Sequence, residues 1–175
     1  MTVSEMIKAY NITLDPAKPG MLRAYNVKKV KADNAMKTIA EAKPEIMAIL
    51  TAEKEAKEKA IREREEKIAA IEGLSELEAA IAEHEKYHYD FNRAMENGNG
   101  VLPNLPKSDI PALKEKYPRA AAYVKAYNWT LASHFVKCGA GRKALERIIN
   151  GEDYSAAIRD MEKEFSDYCN EHIWD

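Results

Sequence analysis

The stretch from Pro44 to Gly73 constrains the fold of this 175-residue chain more than any other part of the sequence. Between those two residues it contains neither glycine nor proline, and nearly all of its residues have high helix propensity. Proline is favoured in the first turn of a helix, and glycine commonly follows the last turn. The sequence therefore predicts one long helix that begins near Pro44 and ends near Gly73.

A second helix is predicted after Gly73, because apolar residues and histidines recur at alternating spacings of three and four residues. This stripe consists of Leu74, Leu77, Ile81, His84, His88, Phe91 and Met95. A turn at Gly73 would lay the second helix antiparallel to the first, with the stripe in the seam between them. We therefore expect an antiparallel helical hairpin over residues 44–100.

The N-terminal segment, residues 1–43, combines signals for helices, a turn and a strand. Ser4 is suited to cap a short helix that ends at Tyr10, and the prolines and glycine that follow indicate a turn. Residues 21–30 contain enough Val, Leu and Tyr for a strand, so a small β-hairpin remains open. Asp33 is the expected N-cap of the next helix.

The C-terminal segment, residues 101–175, has the signals of a helical bundle. Asp109 and Asp153 are expected N-caps, and Pro118 should both end one helix and begin the next. Apolar stripes at helical spacing then predict packed helices. Together, the three segments predict a mainly α fold: a helical hairpin plus a C-terminal helical bundle, with room for a small N-terminal β-hairpin.

Composition limits the class of protein. Hydrophobic residues make up 46% of the chain and charged residues 32%, which is typical of a globular protein and unlike a disordered one. The sequence shows no signal-peptide pattern and no apolar run long enough to span a membrane, so we expect a cytoplasmic protein. Cys138 and Cys169 lie far apart, which favours reduced thiols. We predict no cofactor.

Charge alternates in sign along the chain. Residues 114–149 include 8 basic and 2 acidic residues, whereas residues 150–175 include 2 basic and 8 acidic ones. Such a molecule could present a basic surface to phosphate groups and an acidic surface to a basic protein.

Residues 84–88, HEKYH, match the H-E-x-x-H pattern of zinc hydrolases. On a helix, His84 and His88 would lie one turn apart, as two zinc ligands require. However, the chain has no further histidine at the spacing of an extended zinc motif, and the hairpin would place carboxylates of residues 58–65 opposite the two rings. We therefore interpret both histidines as structural and predict no metal site.

The stretch KCGAGRKALERIING allows two interpretations. Glycines before a helix N-terminus can let a phosphate approach the backbone, with Arg142, Lys143 and Arg147 nearby. It lacks the Walker frame, so nucleotide hydrolysis is not expected, and with the preceding helix it makes a loose helix-turn-helix. The alternative is an ordinary corner between two helices, in which the glycines only cap and turn.

Basic and aromatic side chains are interspersed in KYPRAAAYVKAYNWTLASHF. Aromatic side chains beside cations can stack on single-stranded nucleic acid, but they also fill cores and protein interfaces, and we favour the latter. Ser133 and His134 are adjacent on a helix and would point apart, so no catalytic triad is indicated. The residues predicted to bind nucleic acid or a protein partner are Arg119, Lys125, Lys137, Arg142, Lys143 and Arg147.

Four stretches, KPEIMAIL, KYPRAAAYVKAY, GRKALERIINGEDY and the terminal EHIWD, together resemble small helical proteins carried by phages and mobile elements of Gram-positive bacteria. That group includes anti-CRISPR inhibitors of RNA-guided type II nucleases. The resemblance implies a non-enzymatic protein that binds a host or competing-element protein, such as a CRISPR effector nuclease, or its DNA. The chain departs from the DNA-mimicking members because it is not strongly acidic.

The resemblance further implies that the basic 114–149 block contacts nucleic acid and that the acidic C-terminal helix meets a basic channel of the nuclease. Two alternatives stay open. One is a phage or plasmid DNA-binding accessory protein that uses the loose helix-turn-helix; the other is a metal-dependent hydrolase that uses HEKYH.

Overall fold

The structure, a computed structural model, describes residues 2–26, 32–97, 102–132 and 137–172. Over these residues the chain is mainly α, as predicted, with eight helices and one two-stranded antiparallel sheet. Two compact units are present, Met1–Glu63 and Arg64–Asp175, and their boundary falls within the longest helix. The division into segments 1–43, 44–100 and 101–175 stays a prediction.

The first unit begins with α1 (Val3–Tyr10), β1 (Ile12–Leu14) and β2 (Leu22–Ala24). The β-hairpin that the sequence left open is present, with Ile12 opposite Ala24 and Leu14 opposite Leu22. The predicted cap Ser4 is wrong: Thr2 caps α1, and its hydroxyl and the Glu5 carboxylate form a reciprocal capping box. Helix α1 therefore begins earlier than Ser4 would allow.

The unit continues with α2 (Ala32–Glu41) and the first part of α3 (Lys43–Ala69). Asp33 lies inside α2 and not at its cap, so that prediction is wrong, whereas Pro44 stands in the first turn of α3 as expected. A small core unites the elements through Met6, Ile12, Ile39 and Ile46, all of them buried.

Beyond Leu50, α3 has the solvated character that its charge run indicates. Every side chain from residue 51 to residue 63 is exposed. Two i,i+4 ion pairs, Lys54–Glu58 and Lys59–Glu63, follow the helix surface at 3.7 Å. Such exposed pairs add little to stability, and the chain relies on helix propensity here.

The second unit contains the last turns of α3, then α4 (Leu74–Asn97), α5 (Ile110–Lys116), α6 (Pro118–Leu131), α7 (Ala140–Ile149) and α8 (Tyr154–Glu171). The predicted caps are confirmed: the Asp109 carboxylate accepts the N–H of Ala112, and that of Asp153 accepts the N–H of Ser155. Pro118 opens α6 as expected.

Gly73 separates α3 from α4, as the sequence indicated, and it is needed there for two reasons. Its φ of +71° lies in the left-handed region that favours glycine. In addition, a Cβ atom at this position would lie 2.1 Å from Cγ of Tyr117. The ring of Tyr117 therefore packs directly on the turn.

The apolar stripe of α4 is buried in its first turns. Leu74 and Leu77 are buried on the side where α5 and α6 pack, whereas Met95, near the end of the stripe, is 62% exposed. The three-four spacing therefore predicted this helix correctly, and α5 and α6 are helices that cover the start of its stripe.

The C-terminal bundle consists of α6, α7 and α8, which contact one another in all three pairs. Ala126, Ile148 and Met161 are each no more than 2% exposed and mark the centre of its core. Of the α7 residues that were expected to face inward, Leu145 and Ile149 are likewise buried. Within the described part of the chain, no helix is both long enough and apolar enough to cross a membrane.

Candidate partner-binding groove

Helices α6 and α8 run in the same direction, with α7 as the antiparallel connection. Two contacts establish this register. Lys125 forms an ion pair with Glu162, and one turn further along each helix Trp129 packs edge-to-face on Phe165 with ring centroids 5.2 Å apart. The two helices therefore meet at Trp129–Phe165, and an open surface remains between their earlier turns.

A groove of about 600 Å³ lies along that surface. Its volume is within the range of ligand-binding clefts. The lining is largely apolar, and its residues come from α5, α6 and α8: Lys114, Pro118, Ala121, Ala122, Val124, Lys125, Asn128, Trp129, Tyr154, Ser155, Ile158 and Arg159.

The sequence explains why the helices leave this space. Helix α6 begins PRAAAY, and Ala121 and Ala122 are too small to fill the gap in front of α8. Tyr154 and Ile158, one turn apart on α8, are only partly buried and form the opposite wall. The result is an apolar trough whose walls are fixed by the bundle core behind it.

Among the described residues that line the groove, the charged side chains are all cations, namely Lys114, Lys125 and Arg159. Lys125 is paired with Glu162 at the edge of the groove. Lys114 and Arg159 are exposed, and neither forms an ion pair within the described residues. The groove therefore combines an apolar floor with a positively charged rim.

Two of the predicted binding residues on α7 are engaged by acidic side chains of α8 and of the turn before it. Lys143 contacts Glu164, and this hydrogen bond raises the pKa of the lysine. Arg147 contacts Asp160 at 2.8 Å and Glu152 at 2.9 Å, and the pKa of the guanidinium is raised by those two hydrogen bonds. These cations hold the helices together, which lowers the positive potential that they offer to nucleic acid.

Arg119 has a structural role in this arrangement. One guanidinium nitrogen donates to the carbonyl oxygen of Ile148 at 2.6 Å, and the same oxygen accepts the backbone N–H of Gly151 just past the last turn of α7. Its Nε is buried. The two remaining predicted residues, Lys137 and Arg142, are exposed and have no ion-pair partner within the described ranges. The six residues thus divide into three that form ion pairs, the partly buried Arg119, and two that are exposed.

The glycines at the start of α7 serve helix packing. Gly139 is the N-cap and has a φ of +74°, and Ala140 is 1% exposed. A Cβ atom on Gly141 would lie 2.8 Å from Cβ of Trp129, so this glycine allows α7 to approach α6 closely. Because Ala140 and Gly141 are buried, the start of α7 fits a corner between two helices better than a phosphate-binding turn.

The HEKYH histidines have different environments. Nε2 of His84 lies 2.8 Å from the carbonyl oxygen of Ser108, to which it donates. A carboxylate of residues 58–65 was expected to bond this ring, and that expectation is wrong: the partner is a backbone carbonyl of the segment before α5. His88 is exposed. Among the described residues, no three His, Cys, Asp or Glu side chains gather as a metal site would require.

Glu83, next to His84, fixes the same segment. Its carboxylate accepts the hydroxyl of Ser108 and the backbone N–H of Lys107 at 3.3 Å. These hydrogen bonds lower the pKa of Glu83, with the Ser108 hydroxyl as the largest cause. Glu83 and His84 therefore hold residues 107–108 against α4 through hydrogen bonds.

The aromatic residues of α6 divide between core and groove. Tyr123 is 7% exposed and belongs to the core, as favoured from the sequence, and its ring stacks on that of Tyr127 with centroids 6.3 Å apart. Trp129 lines the groove. Ser133 and His134 lie outside the described residues.

Lys114, Asn128 and Arg159 were not predictable from the sequence as a group. They lie on three different helices, and no local motif connects them. Only the parallel register of α6 and α8 brings them to one rim, and that register depends on contacts between residues far apart in the chain.

Comparison of the chain with protein-family models, with curated proteins and with solved structures finds no match.

Proposed function

We propose that this chain is a non-enzymatic binding protein and that the groove between α6 and α8 is its contact surface. The observation that carries the proposal is the combination of an apolar trough of about 600 Å³ with a rim of Lys114, Lys125 and Arg159. Apolar clefts with a few convergent polar groups are the usual form of a recognition site. A rigid helical frame behind the groove limits the entropy lost on binding.

The ion pairs of α7 and α8 support a protein target over a nucleic acid. Lys143 and Arg147 would be the centre of a basic nucleic-acid surface, yet both are engaged by acidic residues. Phosphate binding depends on the release of counterions by available cations. An apolar groove matches a protein side chain better than a phosphate backbone.

The more specific proposal is that the target is an RNA-guided nuclease of a host or competing element, which the protein inhibits by stoichiometric binding in the cytoplasm. The support is the resemblance of KPEIMAIL, KYPRAAAYVKAY, GRKALERIINGEDY and EHIWD to phage-borne helical proteins. Exclusion of the nuclease from its DNA or guide would follow from occupation of a single surface.

A DNA-cleavage assay with several purified type II nucleases tests this proposal. We expect wild type to inhibit at least one nuclease and inhibition to saturate near an equimolar ratio. Asn128→Glu places a carboxylate at the groove, whereas Asn92→Glu makes the same change at an exposed position of α4. The first variant should lose inhibition, and the second should retain it.

Two outcomes would contradict the proposal. The absence of inhibition across the panel would remove the nuclease as the target. Equal inhibition by Asn128→Glu and Asn92→Glu would show that another surface makes the contact.

A second candidate is a DNA-binding accessory protein. It is favoured by the exposure of Lys137 and Arg142, close in sequence to the corner between α6 and α7. Fluorescence anisotropy with duplex DNA distinguishes it, because such binding should weaken steeply with salt and weaken further in Arg142→Ala/Lys143→Ala/Arg147→Ala. Salt-independent or undetectable binding would exclude this candidate.

A further inference from the structure

We infer that the groove between α6 and α8 takes an acidic amphipathic helix of a partner protein. This inference rests on the proposed function and adds to it the shape and charge of the bound segment. Three features of the groove carry it: its walls, its length and the sign of its rim.

The walls of the groove are helices, which determines the backbone conformation of the ligand. An extended peptide usually binds by adding a strand to a sheet edge that has unpaired N–H and C=O groups. Within α6 and α8 those groups are paired internally, so the groove offers no such edge. A ligand that pairs its own backbone, as a helix does, can lie there without leaving polar groups unsatisfied.

The length of the groove suits a short helix. Its lining residues on α6 extend from Pro118 to Trp129, which corresponds to roughly 17 Å of helix, or about three turns. A helix of this length presents apolar residues at positions i, i+3 or i+4, and i+7 on one face. Those side chains would lie on Ala121, Ala122 and Ile158, and the helix would extend the α6–α8 bundle by a fourth member.

The rim determines the charge of the ligand. Lys114 stands on α5 and Arg159 on α8, and among the described residues the groove lining contains no carboxylate that would neutralise them. Carboxylates on the flanks of the bound helix would meet these cations, and a basic helix would be repelled. Rim charges of this kind act mainly on association rate and on the choice of partner.

Selection from a displayed library of random 16-residue peptides tests the inference without knowledge of the partner. Wild type serves as bait, and the Asn128→Glu variant removes peptides that bind elsewhere. We expect the enriched peptides to carry net negative charge and apolar residues at helical spacing. Enrichment of basic or strand-patterned peptides, or no enrichment over the variant, would overturn the inference.

A synthetic peptide from the enriched set then measures the role of the rim. Lys114→Gln/Arg159→Gln should weaken its binding by about 10-fold at low salt. Lys57→Gln/Arg62→Gln removes the same charge from exposed positions of α3 and should have no effect. Equal weakening by both pairs would show that only net charge matters and would overturn the assignment of the rim.

The outcome is distinguishable from failure of the proposed function. If acidic helical peptides bind in the groove but no nuclease is inhibited, the nuclease is rejected as the target and the inference about the groove stands. Conversely, inhibition that requires the groove, together with selection of non-helical peptides, would retain the function and reject the helix.

Discussion

Charged residues are dense both in the exposed part of α3, residues 51–63, and around the α7–α8 contact, but they do different things in the two regions. In α3 they pair along one helix, as in Lys54–Glu58, and every side chain of this stretch is exposed. In the bundle they pair between helices, as in Lys143–Glu164, and lie beside a buried core. The density of charged residues therefore does not show whether a helix packs on another. The apolar residues between the charges determine that.

The largest expected effect compares buried and exposed isoleucines of these regions. Ile148→Ala removes a side chain that is 0% exposed and should lower the free energy of unfolding by about 2–5 kcal/mol. Ile61→Ala, at a residue that is 56% exposed, should change it by less than about 0.5 kcal/mol. Urea denaturation measures both values, and similar losses would contradict the contrast.

Gly141→Ala should destabilise the bundle by about 1–3 kcal/mol. The reason is the missing space in front of Trp129, where the new Cβ would lie 2.8 Å from the Cβ of the tryptophan. At an exposed helical position the same change stabilises a protein, so the sign is diagnostic. A rise in the denaturation midpoint would show that α7 does not need this close approach.

These two stability predictions concern features that a sequence reveals only in part. Caps and helix starts at Asp109, Pro118 and Asp153 were predictable, because they depend on residues within one turn. The neighbour of each helix was not, since an apolar stripe on α4 fits any apolar surface. The groove was hidden for the same reason.

The ion pairs should have a smaller effect, and it should depend on salt. Arg147→Met removes the contacts with Glu152 and Asp160 and should lower the melting temperature, whereas Lys54→Met in α3 should have almost no effect. In about 1 M salt the difference should shrink, because the Debye length falls to ~3 Å. A difference that is unchanged by salt would indicate lost packing of the arginine stem.

The smallest effect concerns Glu83. Its pKa is lowered in the folded protein, so its contribution to stability is complete above the ordinary pKa of a glutamate and is lost as the pH falls through the lowered folded value. Residues 107–108 should therefore loosen at acidic pH. The ratio of the amide exchange rate at Lys107 in wild type to that in the Glu83→Gln variant should rise as the pH falls. A ratio that does not change with pH would contradict this role of Glu83.

The emission of Trp129 tests the central claim most directly. The chain has two tryptophans, so Trp174→Phe leaves the groove residue as the reporter. As a selected acidic peptide without tryptophan is added, the emission should shift to shorter wavelength and saturate near one equivalent, because the peptide excludes water from the groove. Binding of that peptide without any change in Trp129 emission would place the contact elsewhere and contradict the account.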